Sequence, residues 1–240
     1  MSISPDRILF EDAHVLAVNK LCSELTVRGK GKVVKLPLFD FLKKDYPGLR
    51  AIHRLDFETS GVVLFAKNAE VEGKILPADR SAKREGSNKK FDQSASSIPD
   101  HASRWKKTYR TLVMGRILRN GGAIRTKLPA RTAGEVDAQT LYTVLDRFAN
   151  STYLECEITT GRHHQIRRHF ASIDHPLVLD RVYGHGKFNQ LFRQELGFGT
   201  FFLHASKLTF PHPVTGKIMV IEAPMPKAFV ACLAKLRALS

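Results

Sequence analysis

Apolar and polar positions along this chain fall into short runs whose spacing predicts more strands than helices. Ile8-Leu9-Phe10 and Val15-Leu16-Ala17-Val18 flank the polar Glu11-Asp12-Ala13-His14, the pattern of a strand, a turn and a second strand. Leu38, Phe39, Phe41 and Leu42 share a face ahead of Tyr46-Pro47-Gly48, which predicts a short helix and its stop. Val62-Val63-Leu64-Phe65-Ala66, reached through Thr59-Ser60-Gly61, is a buried-strand candidate. Further strand-like runs lie at 108–115, 139–145 and 153–158, and in the last Leu154, Cys156 and Ile158 alternate with Glu155 and Glu157. After Gly161, Ile166, Phe170 and Ile173 recur at helical spacing, as do Phe229, Leu233 and Leu236 near the end. Another strand leads through Phe210-Pro211-His212-Pro213 and Gly216 into Ile218–Ile221. Strands are not regularly interleaved with helices. The expected class is therefore α+β, a single domain on a mixed, mostly antiparallel β-sheet with flanking helices and loops.

Residues from about 73 to 104 break the pattern. This stretch is rich in Ser, Lys, Arg, Asp and Gly, and its few large apolar residues have no period. Such a composition buries too little surface to offset its ordering entropy, so it reads as a flexible basic insertion. A solvated loop and a phosphate-contacting arm both fit it.

Composition adds a partner class. Hydrophobic residues make up 43% and charged residues 25%, ordinary for a chain that buries a core. The charge balance is not ordinary: 38 Lys+Arg against 23 Asp+Glu leave a net +15. The excess runs along the whole chain, which favours a polyanion such as nucleic acid over a merely solvated surface. Cys22, Cys156 and Cys232 are odd in number and far apart, so neither a disulfide framework nor paired zinc-ligand spacing is expected. No apolar run approaches the length of a membrane span, and the expectation is a cytoplasmic protein.

Four segments carry candidate chemistry. His53-Arg54-Leu55-Asp56-Phe57-Glu58-Thr59-Ser60-Gly61 sets a carboxylate beside a Thr-Ser-Gly turn. Asp56 there is either a cap for that turn or a reactive group on a rigid strand start, and spacing alone leaves both open. Trp105-Lys106-Lys107-Thr108-Tyr109-Arg110 brackets a tyrosine with cations, which suits a core strand or a stacking platform for an unpaired base. Thr160-Gly161-Arg162-His163-His164-Gln165-Ile166-Arg167-Arg168-His169 places cations at a helix start, where phosphate is attracted. Its adjacent histidines face different sides of a helix and make a poor metal site. Leu203-His204-Ala205-Ser206 opens the strand before the His-Pro turn and reads as structure before chemistry.

In this order the segments closely resemble the RluA-type pseudouridine synthases. The signature His-Arg-Leu-Asp-x-x-Thr-Ser-Gly is met by 53–61, the Lys-x-Tyr strand by Lys107-Thr108-Tyr109, and Gly-Arg-x-His-Gln-[Ile/Leu]-Arg-x-His by 161–169. His175-Pro176-Leu177, Asp180, Tyr183-Gly184 and Leu203-His204-Ala205 match the family's next segments. One departure stands out: the usual Asn-Lys-Pro-x-Gly is here Asn19-Lys20-Leu21-Cys22-Ser23. The spacer 185–197 with Gln165–His169 is more similar to the TruC branch, which modifies tRNA.

The resemblance implies a cofactor-free and metal-free isomerase that converts a uridine of structured RNA to pseudouridine, tRNA ahead of ribosomal RNA. It implies Asp56 as the catalytic aspartate, Tyr109 as the tyrosine that stacks on the uracil, and Arg167 as the charge partner of Asp56. Contacts to substrate are implied for His53, Arg54, Thr59, Lys107, Arg162, His164, Gln165 and His204. A monomer covering 1–240, with no separate N-terminal RNA-binding domain, completes these expectations. The competing classes are a non-catalytic RNA-binding module and a histidine-based metallonuclease.

Overall fold

The computed structural model describes residues 3–28, 36–75, 105–130 and 133–239. Most of the expected insertion, 76–104, lies outside the described residues; its first positions, 73–75, close a helix instead. Val71 and Ile75, four apart, bury one face of that helix and explain why it continues past Gly73.

The strands, in chain order, are β1 (Ile8–Glu11), β2 (Val15–Lys20), β3 (Arg50–Ala51), β4 (Ser60–Ala66), β5 (Lys106–Met114), β6 (Gly121–Ile124), β7 (Leu128–Pro129), β8 (Glu135–Val136), β9 (Thr140–Arg147), β10 (Ser151–Ile158), β11 (Leu203–Pro211) and β12 (Ile218–Glu222). The helices are α1 (Leu38–Leu42), α2 (Ala69–Ile75), α3 (Gln165–Ala171), α4 (Gly186–Leu196) and α5 (Lys227–Ala238), with a 3₁₀ turn at Pro5–Arg7. Ten strands form one sheet in the order β1-β2-β4-β11-β5-β10-β9-β6, with β3 on β4 and β12 on β11, while β7 and β8 pair separately. Its described ladders are antiparallel apart from β4–β11, which runs parallel at Ser60–His204 and Gly61–Ala205. The mixed, mostly antiparallel sheet is the architecture the patterning predicts.

Side-chain alternation assigns the two faces. Val63 and Phe65 of β4 join Leu16 and Val18 of β2 in one core, together with Leu38 and Leu42 of α1 and Ile166 and Phe170 of α3. Val62, Leu64 and Ala66 join Val15 and Ala17 in a second core on the opposite face. A strand covered on both sides needs the continuous apolar run seen in 62–66. Along β5 the same alternation sends Tyr109 and Val113 to the first core, and Leu112 to a third core under α4 and α5. The candidate site forms at the edge of the first core, where β4, β5 and β11 meet.

Closure of β4 on β11 depends on Gly61. Its φ is +113°, and a Cβ there would lie 2.1 Å from the carbonyl oxygen of Ala205. Only glycine fits both demands. The Thr-Ser-Gly end of the signature is thereby explained by backbone packing.

Candidate active site

Asp56 sits on the loop that leads into β4, its side chain about one-third exposed at 32%. Three residues from an earlier segment hold this loop through its backbone. Thr26 Oγ1 donates to the Leu55 carbonyl and accepts from the Leu55 amide, both at 3.1 Å. The Ser23 amide donates to the Phe57 carbonyl at 2.9 Å. Lys20, fully buried, donates from Nζ to the carbonyls of Leu21, Phe57 and Thr59 at 2.9, 3.2 and 2.6 Å. Burial pushes that ammonium down to about 8. Ser23, at the glycine position of the Asn-Lys-Pro-x-Gly motif, has φ +62° and makes the turn without glycine. The altered motif therefore keeps the turn, at the expense of local strain.

Tyr109 lies beneath, 8% exposed on β5. Burial, and then the charge of Asp56, push its phenol well above the usual tyrosine range. It enters any reaction protonated. Its expected cationic bracket is only half present. Neighbours on a strand face opposite sides, so Arg110 turns away to Glu155 at 2.8 Å, while Lys107 stays on the tyrosine's side near Gly161.

The facing wall is built from α3 and the loop after it. Arg167 does not pair with Asp56 as the resemblance implies. Its guanidinium forks onto Asp180 instead, Nε to Oδ2 at 2.7 Å and Nη2 to Oδ1 at 2.8 Å. The two side chains are 3% and 0% exposed. A guanidinium this deep demands an equally deep anion, and the part-exposed Asp56 is not one. Burial opposes both charges, but the mutual bonds prevail: Arg167 is raised and Asp180 lowered from their ordinary values. Asp180 Oδ1 also accepts from the amides of Val182 and Tyr183 at 2.8 and 3.0 Å. Gly184 lets the chain fold back here, since a Cβ would meet the Asp180 carbonyl oxygen at 2.1 Å.

Between the walls stands His164. Its Nε2 lies 3.6 Å from Asp56 Oδ2, and its Nδ1 lies 3.1 Å from the Tyr183 hydroxyl. Burial pulls the imidazole down to about 4 against the opposing pull of Asp56. A second link, Arg181 Nε to Glu58 Oε1 at 3.8 Å, crosses the same gap near the surface.

The other implied substrate residues divide into two groups. Arg54 and Arg162 are exposed at the rim, and Lys107 is half-buried. His53, Gln165 and His204 serve the scaffold in this structure, and Thr59 is buried. His53 Nε2 accepts from the Leu64 amide at 3.2 Å, and burial with the Lys107 charge pulls it to about 3. Gln165 bridges Thr160, the Arg162 amide and the Gln139 carbonyl. His204 is 1% exposed between Ser60 Oγ at 2.9 Å and the Ala223 carbonyl at 3.3 Å, so it ties strands together rather than lining the cleft. Thr59 is 2% exposed, and its hydroxyl has no partner. Among the described residues, no group of three or more His, Cys, Asp and Glu side chains is placed to hold a metal ion. No described helix is long and apolar enough to cross a membrane.

Sequence reasoning missed Lys20, Asp180 and Tyr183 as site-builders. Asp180 and Tyr183 stand inside stretches that match the resemblance and Lys20 inside the one that departs from it, but nothing in the string says which carbonyls Lys20 reaches or that Arg167 bonds to Asp180.

The candidate site thus joins a part-exposed carboxylate, a buried tyrosine, an imidazole and a locked Arg–Asp pair, and comparison with known proteins identifies the family of the chain that carries it. The sequence model of the RNA pseudouridylate synthase family matches residues 14–172, and the chain belongs to that family of isomerases. It is 33% identical over 240 residues to ribosomal large subunit pseudouridine synthase C of Escherichia coli (strain K12), covering 97% of this chain and 70% of that protein. It is 32% identical over 245 residues to tRNA pseudouridine synthase C of Vibrio vulnificus, covering 92% and 91%. The fold matches human RNA pseudouridylate synthase domain containing 4 with a TM-score of 0.71 at 20% identity, over 96% of this chain and 92% of that one.

Proposed function

We propose that this chain isomerises one uridine of a structured RNA to pseudouridine, with tRNA as the substrate class, acting as a cytoplasmic monomer without metal or cofactor. The reaction breaks the bond between C1′ and N1, turns the uracil and joins C1′ to C5, while the C5 proton leaves and N1 gains one. Nothing is oxidised and no atom is added. A carboxylate, a proton carrier and a pocket that excludes water suffice.

Asp56 is the reacting carboxylate, attacking C1′ or taking a ribose proton. Tyr109 supplies a flat face for the uracil and, being protonated, moves the C5 proton only as its own is passed on. Arg167 is the positive wall that holds the cleft's shape, and its Nη1 lies outside the Asp180 fork. Arg54 and Arg162 at the rim suit the phosphates of a flipped nucleotide.

The observation that carries this reading is the placement of Asp56, part-exposed with its charge reaching the buried Tyr109, while the Arg167 guanidinium is bonded to Asp180. Asp56→Asn should reduce pseudouridine formation to background while leaving RNA affinity and the melting temperature nearly unchanged. Normal turnover in that variant would falsify the assignment. Transfer RNA and large-subunit ribosomal RNA should both be offered, because the relative from Escherichia coli is a ribosomal synthase at similar identity. Product on ribosomal RNA alone replaces the tRNA reading with that second one.

A further inference from the structure

His164 is held in a conformation that a histidine does not choose freely. It stands at the N-terminal boundary of α3 with φ +54° and ψ +33°, in the left-handed region, and its side chain caps no helix amide. Such a position persists only where the surroundings over-determine it. Here they fix the ring on three sides. The Tyr183 hydroxyl lies 3.1 Å from Nδ1, His163 stacks on the ring face at 3.8 Å, and Asp56 Oδ2 lies 3.6 Å from Nε2.

Tyr183 is fixed in turn. Its amide donates to Asp180 Oδ1 at 3.0 Å. Its ring packs against the guanidinium groups of Arg167 and Arg168, at 5.2 and 5.3 Å. The Arg167–Asp180 pair reaches Asp56 by the charge of Arg167, and is also joined to it through two further side chains.

The tautomer is decided by which groups can donate. A neutral imidazole has one N–H. If Nδ1 carried it, the Nε2 lone pair would face a carboxylate, which is repulsive. If Nε2 carries it, the Tyr183 hydroxyl donates to Nδ1 and the imidazole N–H points at Asp56. The second arrangement satisfies every group. At 3.6 Å the last contact is longer than a formed hydrogen bond. Catalytic contacts of this kind tighten when substrate is bound.

We propose that Tyr183 and His164 are positioning residues, a hydrogen-bonded relay that presents the Nε2–H of His164 to Asp56 Oδ2 and so fixes the carboxylate's orientation for the reaction. The turnover half of this inference rests on the isomerase reading above; the tautomer half does not. The relay gives Asp56 a directional donor, which Arg167, its guanidinium bonded to Asp180, does not provide.

Tyr183→Phe removes one hydroxyl and preserves the ring beside the two arginines. Nitrogen-15 NMR of the histidine side chains, with the His164 signals assigned by their loss in His164→Leu, reads the tautomer in the resting protein. The expected result is Nε2–H in the wild type and a mixed population in Tyr183→Phe. An Nδ1–H tautomer in the wild type, or no change in the variant, overturns the relay whether or not the protein modifies RNA.

Single-turnover rates on the cognate RNA read its contribution. Losing the donor to the carboxylate predicts a rate about ten-fold lower in His164→Leu, and a smaller loss in Tyr183→Phe where the tautomers mix, with RNA affinity unchanged in both. His164→Asn, which keeps a donor, should retain more rate than His164→Leu, and Tyr183→Phe should add nothing on top of His164→Leu. The groups facing His164 besides Asp56 are His163, Tyr183, Arg167 and Asp180, and all remain in that variant. Additive losses, or weakened binding with an unchanged rate, overturn the proposed role. A wild type with no pseudouridine activity sinks the isomerase reading and the positioning role with it, and leaves the tautomer result standing.

Discussion

The two walls of the cleft are held by opposite means. The wall that carries Asp56 is fastened mainly through its backbone, by Thr26, the Ser23 amide and the Lys20 ammonium that gathers three carbonyls, with the Ser60–His204 side-chain bond behind them. The wall that faces it is fastened by a fully buried ion pair, Arg167–Asp180, whose anion also gathers two amides. The difference explains why each carboxylate has its role. Asp180 has its bonding capacity committed and can only shape the site. Asp56 keeps its oxygens for chemistry because the backbone on either side is what holds the loop in place. A site that paired Asp56 as tightly as Asp180 would be rigid and inert.

Removing each anion should separate the two roles. Asp180→Ala leaves a buried guanidinium and two amides without partners, and should cost about 3–5 kcal/mol of folding stability. Urea unfolding would measure it. Asp56→Ala, at a part-exposed position, should change stability by only about 0.5 kcal/mol. Equal losses in the two variants would end the comparison.

Acid should reach the first wall through its neutral histidines. His204 and His53 titrate at about 4 and about 3, below the ordinary histidine value. Between those values and about 6.5, the unfolded chain binds protons that the folded chain refuses. Their stabilising contribution is therefore complete above about pH 6.5 and is lost as pH falls toward 4. For His204 alone this amounts to about 3 kcal/mol. Asp180 is shifted the other way relative to its charge, so its contribution survives until pH falls below the ordinary aspartate value. His164 and His169 on the second wall are lowered too, so the His204 share is isolated with His204→Gln. That variant should be less stable at pH 7 and show a shallower loss toward pH 4. An unchanged acid slope would mean that His204 is not the group that responds.

Much of the first wall is legible in the string, and little of the second. Period-two alternation marks β10 because Leu154, Cys156 and Ile158 meet the first core while Glu155 and Glu157 pair with Arg110 and Lys106, and the apolar run marks β4 because each of its faces meets a core. The helix at Phe229, Leu233 and Leu236 is equally plain, since all three pack in one cluster. By contrast, α4 reads only as a spacer. Its Phe188, Phe192 and Leu196 sit among Gly, Lys, Asn, Gln and Arg, and the His185 side chain caps it by accepting from the Phe188 amide. Asp56 can be located because signature and turn coincide. The partner of Arg167 cannot, because sequence order does not reveal which of two aspartates is buried. The turn at Asp180 depends on Gly184 and on a left-handed Leu179, features that only the folded backbone displays.

The smallest expected effect tests how the first wall tolerates its altered motif. Ser23 occupies the left-handed region at φ +62°, a strain of about 1–2 kcal/mol for a residue with a Cβ. Glycine would relieve that strain but would lose more freedom on folding, about 0.5–1 kcal/mol. The difference predicts that Ser23→Gly stabilises the protein by about 0.5–1 kcal/mol, readable as a small rise in melting temperature. The backbone amide at 23 would still donate to Phe57, so the Asp56 loop and the turnover rate should not move. Destabilisation would show that the serine hydroxyl, 3.8 Å from Cys22 Sγ, contributes more to the turn than its backbone strain costs.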